Sequence, residues 1–267
     1  MCKENKYVPV LAIIQFVHIL DFVVLMPLGP TLMQYFNISP IQFAGLVSSY
    51  NFSAAIAGIL FGVIADRFSR RKLLIFFMTG FFLSTLYCGY SSSFRGLLIG
   101  RIFAGAFGGV LNAIVYTIVT DLIPEERRGK AMGIIMSSFS IASVIGIPIG
   151  LSISDYYNWH YTFYFIGSIA IIVTIACHKV FPPMSSHISK SNARDVIKRY
   201  LKILTKKEYV LANFTIFLVS MSVFLIVPFL SPYAVKNIGI KTFDLKYMYG
   251  IAGLFTVLTA RSFGILS

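Results

Sequence analysis

The sequence predicts an all-α integral membrane protein, and three observations carry that prediction. Hydrophobic residues make up 57% of the 267-residue chain and charged residues only 12%, with mean hydropathy +0.80. A soluble domain carries about 25% charged residues, so this composition suits lipid. Apolar runs of the roughly 20 residues needed to cross a bilayer recur along the whole chain. Finally, 17 of the 23 Lys and Arg fall before the first run or at 67–72, 127–130 and 179–207. A net charge of +13 distributed this way sets topology, with the N-terminus inside, and does not point to nucleic acid.

Spanning helices are expected near 8–28, 43–64, 73–91, 96–120, 131–153, 160–181, 209–231 and 247–266. The first six, joined by short links, form one unit over residues 1–181. A basic cytoplasmic linker follows at 182–208, and helices 7 and 8 occupy 209–267. Within the linker, Val196, Ile197, Tyr200, Leu201 and Leu204 recur at helical spacing, with Lys198, Arg199, Lys202 and Lys206 among them. That segment reads either as an amphipathic helix on anionic lipid or as a solvated tether. Cys2, Cys88 and Cys177 have no metal or disulfide spacing. The first run is too long for a signal peptide, carries Asp21 and Pro27, and lacks a cleavage site.

Residues 62–72, GVIADRFSRRK, link two apolar runs through a short charged turn. Gly62, Asp66, Arg67, Arg70 and Arg71 fit G-x-x-x-D-R-x-x-R-R. This resembles the loop between helices 2 and 3 of the major facilitator superfamily, the twelve-helix secondary transporters. Glycine there admits a close neighbouring helix, and the arginines stay in the aqueous and headgroup zone. At the end of helix 4, Asp121, Pro124, Arg128 and Gly129 fit D-x-x-P-x-x-x-R-G, similar to the family's loop between helices 4 and 5. The resemblance implies that Asp121 pairs with Arg67, Arg70 or Arg71, and that these groups with Asp66 and Arg128 form a conformational latch. The competing reading makes Asp121 and Arg128 solvated loop charges.

The run RIFAGAFGG, beginning at Arg101, resembles the family's helix 4 motif, whose arginine takes part in proton transfer. Arg101, Gly105, Gly108 and Asn112 share one helical face. The glycines are expected to allow close packing while Arg101 and Asn112 face a cavity. Arg101 snorkelling to the outer interface is the alternative. In helix 1, Gln15, His18 and Asp21 recur every three residues as a polar stripe. LDFVVLMPLGP resembles the first helix of the drug:proton antiporter branch, which implies that Asp21 exchanges a proton for cargo. His18 either assists or serves as a hydrogen-bonded packing residue. In helix 5, ASVIGIPIGLS departs from the antiporter pattern G-x-x-x-G-P-x-x-G-G, because Pro148 falls one position late and the paired glycine is missing. Gly146 and Gly150 still form a small-residue packing face beside Ala142.

A repeat offset by 202 residues relates Pro30 to Pro232, Ile38 to Ile240 and Gly62 to Gly264. The resemblance therefore implies a complete six-helix bundle and two helices of a second, truncated after helix 8. It further implies proton-coupled efflux of a small organic compound by alternating access, in a bacterial cytoplasmic (inner) membrane. Small-molecule substrate, protons and lipid are the expected partners, no cofactor is called for, and no pattern suggests an enzyme. The alternative is a non-transporting remnant or membrane interaction protein. Oligomeric state has no sequence signal.

Overall fold

The computed structural model describes residues 4–64, 68–182, 184 and 205–266. Asp66, Arg67 and nearly all of the predicted linker lie outside them. Among the described residues, ten α-helices run in order: α1 (Glu4–Val24), α2 (Gly29–Phe36), α3 (Pro40–Ile64), α4 (Arg70–Tyr90), α5 (Phe94–Leu122), α6 (Glu125–Ile141), α7 (Ile147–Tyr156), α8 (Trp159–Val180), α9 (Lys207–Tyr233) and α10 (Leu245–Leu266). Among the described residues, seven helical segments are long and apolar enough to cross a membrane.

Two expected spans are interrupted rather than continuous, and a proline lies at each departure. The first span stops at Val24, turns through residues 25–28, and resumes as α2. Pro27 lacks an N–H and its ring crowds the carbonyl four residues back, which favours the break there, whereas α9 runs on through Pro228 and Pro232. The fifth span begins at Glu125 and carries a π-helical turn at Ala142–Gly146 between α6 and α7. The Ile147 N–H donates to the carbonyl of Ala142, five residues back, immediately before Pro148. Widening the helix by one residue takes up the bond that Pro148 cannot make.

Helix α5 is the spine of the first six spans, with α3 and α4 packed along it. Helix α4 also packs on α8, while α1 lies against α5, α6 and α8, and α7 rests on α8. Large apolar side chains, among them Phe43, Phe81, Phe163 and Trp159, are fully buried between these helices. Helices α9 and α10 meet this group mainly toward the end away from the linker. The Phe22 and Phe224 rings lie 5.8 Å apart, and the ammonium of Lys246 stands 3.9 Å from the Asp155 carboxylate. Gly253 lies directly on the backbone of Ser143 and Val144. Toward the linker, α9 is exposed from Tyr209 to Leu225, and a groove of about 650 Å³ opens between α6 and α10 beside Met136, Ile141 and Leu254.

The sequence repeat has a backbone counterpart. Among the described residues, positive φ occurs at Asn37 (51°) and at Gly239 (80°), which are related by the same 202-residue offset. Each ends a helical segment and turns the chain into the next span. Asparagine tolerates the left-handed region; most side chains pay about 1–2 kcal/mol there. Gly239→Ala is therefore expected to cost about 1–2 kcal/mol, read as a lowered unfolding midpoint in detergent. No loss would show that the corner relaxes freely.

Candidate functional site

The three polar residues of α1 meet three positions of α5 like rungs between antiparallel rails. Gln15 Nε2 donates to Asn112 Oδ1 at 2.8 Å. One turn on, His18 lies beside Gly108, where an added Cβ would stand 2.9 Å from the imidazole. At the last rung, Arg101 Nη1 donates to Asp21 Oδ2 at 2.7 Å and to the Asp21 carbonyl at 3.2 Å. Both side chains of this ion pair are fully buried. Arg101 thus does not snorkel: it is the eighth residue of α5, roughly 10 Å below the helix end at 1.5 Å per residue.

Two further residues complete the cluster. Thr85 Oγ1 on α4 donates to Asp21 Oδ1 at 3.3 Å. From α3, the Tyr50 ring covers the Arg101 guanidinium with 4.5 Å between charge centre and ring centroid, a cation–π contact that helps to offset loss of water. Neither emerged from sequence reasoning. Thr85 is one of several neutral polar residues in its span, and Tyr50 resembles the many aromatics that face lipid. The available signal was a hydroxyl inside an otherwise apolar run.

In this structure the cluster of Gln15, His18, Asp21, Arg101 and Asn112 lies packed between helices. Asp21 and Arg101 are inaccessible, Gln15 is buried, and His18 and Asn112 are half-buried. None of the described grooves reaches them. The cause is close helix approach: a Cβ on Gly105 would stand 2.2 Å from the Tyr50 carbonyl oxygen, and one on Gly109 would stand 2.4 Å from Ala54 Cβ. Among the described residues, His18 Nδ1, the Tyr50 hydroxyl, Gln15 Oε1, and Nε and Nη2 of Arg101 are buried without a hydrogen-bond partner. His18 is therefore packed, with its ring 6.2 Å from that of Phe81, but its Nδ1 is not hydrogen-bonded. Buried polar atoms in this condition are uncommon in native proteins.

At the linker end, Arg70 Nε lies 3.5 Å from Asp121 Oδ2, tying the start of α4 to the end of α5. Arg71 turns away and donates to the His178 carbonyl. Arg128 caps α5, donating to the carbonyls of Thr120 and Ile123 at 2.8 and 3.0 Å, with Glu125 3.8 Å away. A Cβ on Gly62 would meet nothing within 4 Å among the described residues. Gly146 and Gly150 do pack closely, against Leu20 and Val24 of α1. Pro148 lies in the first turn of α7, just past the π turn. Among the described residues, no three His, Cys, Asp or Glu side chains converge to hold a metal ion.

A membrane-spanning helical bundle with a buried carboxylate–guanidinium pair is the class that fold and site define. Residues 11–267 match the Major Facilitator Superfamily, and the chain belongs to that family. It is similar to multidrug resistance protein 3 of Bacillus subtilis (strain 168), at 33% identity over 142 residues covering 52% of this chain and 28% of the relative. It is also similar to the uncharacterized MFS-type transporter YtbD of the same organism, at 28% identity over 80% of this chain and 54% of that protein. The chain thus spans between about a quarter and about half of these relatives. Two solved structures share its fold. A bacterial homolog of the human lysosomal transporter Spinster, inward-facing and unoccupied, superposes with TM-score 0.73 at 17% identity over 94% of this chain and 59% of that one. A D-xylose–proton symporter gives 0.72 at 18% identity, over 98% of this chain and 69% of that one.

Proposed function

We propose that this chain carries the proton-coupling half of an exporter for small organic compounds, working by alternating access in a cytoplasmic membrane with its N-terminus inside. The observation that carries this reading is the Asp21–Arg101 pair, sealed beneath Tyr50 and held by Thr85. A charge pair inside a membrane bundle is costly to desolvate, and its retention speaks for use rather than stability. In the mechanism, a proton arriving at the Asp21 carboxylate neutralises it and releases Arg101, whose Nη1 loses its ionic partner. Helices α1 and α5 then part along their polar rungs, and water or cargo reaches Gln15, His18 and Asn112. Losing the proton on the other side restores the pair and the seal. Arg70 and Asp121 act as the latch that keeps α4 and α5 in register while the bundles rock.

An amphiphilic cargo fits the apolar groove between α6 and α10 and the name of the multidrug-resistance relative. The test is proton flux in everted vesicles, followed with a pH-sensitive dye on addition of a lipophilic cation. Vesicles holding the chain should respond, and Asp21→Asn should abolish the response while leaving membrane insertion intact. A response that survives Asp21→Asn removes this carboxylate from the mechanism. A well-inserted chain with no response at all overturns transport by this polypeptide.

A further inference from the structure

Three helices of the first bundle have an end beside one cavity on the linker side, and each brings a cation to it. Lys6 is the third residue of α1, Arg71 the second of α4, and Lys179 the second-last of α8. With His178 they border a cavity of about 580 Å³ that, among the described residues, no carboxylate lines. Its apolar wall is the stacked pair Tyr7 and Phe181, with ring centroids 5.6 Å apart. Arg71 is anchored by its bond to the His178 carbonyl. Its Nε is buried without a hydrogen-bond partner among the described residues.

We infer that this cavity binds the headgroup of an anionic phospholipid, with the phosphodiester between Lys6, Arg71 and Lys179 and the glycerol against Tyr7 and Phe181. Cations near the helix ends lie where headgroup phosphates lie. A guanidinium pairs with phosphate through directed hydrogen bonds, and an ammonium adds a point charge. A soluble anion would use the same cations but would gain nothing from the aromatic wall. The site ties α1, α4 and α8 together at their ends, so occupancy braces the bundle independently of any transport activity. This inference therefore rests on the fold alone, and stands or falls apart from the exporter reading.

The experiment uses the purified 267-residue chain in neutral detergent, with unfolding midpoints read by intrinsic fluorescence. Phosphatidylglycerol added to the micelles is expected to raise the midpoint by several degrees, because a ligand that binds only the folded state stabilises it. Phosphatidylcholine should give little change. The double variant Lys6→Gln/Lys179→Gln should lose most of the phosphatidylglycerol shift. Lys130→Gln/Lys206→Gln, which removes equal charge from exposed positions at the same end, should keep it. Lys6 and Lys179 are both exposed, so the variant should fold. If it aggregates, Lys179→Gln alone should lose a smaller share of the shift. Equal shifts with both lipids, an undiminished shift in the site variants, or full reproduction by inorganic phosphate would each overturn the lipid site.

Discussion

Arg101→Leu is expected to be the most damaging single change in the chain. It leaves the Asp21 carboxylate fully buried with only the Thr85 hydroxyl, 3.3 Å away, to replace the guanidinium. Breaking a buried pair by removing one partner costs about 3–5 kcal/mol. Asp21→Asn strands the Arg101 guanidinium instead, and stacking on Tyr50 offsets part of that loss. The informative measurement is a double-mutant cycle, with reversible unfolding in mixed micelles of Arg101→Leu, Asp21→Asn and the combination. The combined variant should recover much of the Arg101→Leu loss. Strict additivity would mean that the two side chains do not sense each other, and the pairing would have to be abandoned.

Gly105→Val comes second, through a different mechanism. The new Cβ would fall 2.2 Å from the Tyr50 carbonyl and 2.8 Å from its Cα. These are backbone atoms that cannot rotate aside, so α3 must move off α5. Forcing extra carbon into a packed contact typically costs about 1–3 kcal/mol. Here the displacement also lifts the Tyr50 ring off Arg101, placing the loss at the upper end of that range. Gly58→Val is the control, because a Cβ at Gly58 meets nothing within 4 Å among the described residues. Comparable destabilisation by both would show that β-branching in α3 or α5, not the contact, sets the cost.

The spans were legible because a bilayer demands about 20 apolar residues from every crossing, a signal that survives without tertiary information. Asp21 and Arg101 were legible for the complementary reason: a charge inside such a run stands out, and the structure sets them 2.7 Å apart. Tyr50 and Thr85 carry no charge, so nothing in composition separated them from their neighbours. The breaks at Pro27 and Pro148 were harder to read, since proline in a membrane helix can kink, end or widen it, and neighbouring helices decide which. The sealed state of the cluster could not be read at all. Identical polar faces line a crevice or close on one another according to how the bundle is posed. Gly62 shows the same limit, since the motif that singles it out is local while any helix it would receive is remote.

The π turn at Ala142–Gly146 bears on how one helix can serve two masters. Upstream of it, the Ser138 hydroxyl reaches the Ala12 carbonyl at 2.8 Å; downstream, Gly146 and Gly150 seat Leu20 and Val24. The extra residue rotates the downstream half by about 100° relative to an uninterrupted helix, which brings those glycines round to α1. It also presents the widened stretch, Ser143 and Val144, to Gly253 of α10. Shuttling that residue in or out of the turn would twist the two halves of the span against each other, a swivel placed where the first bundle grips the second.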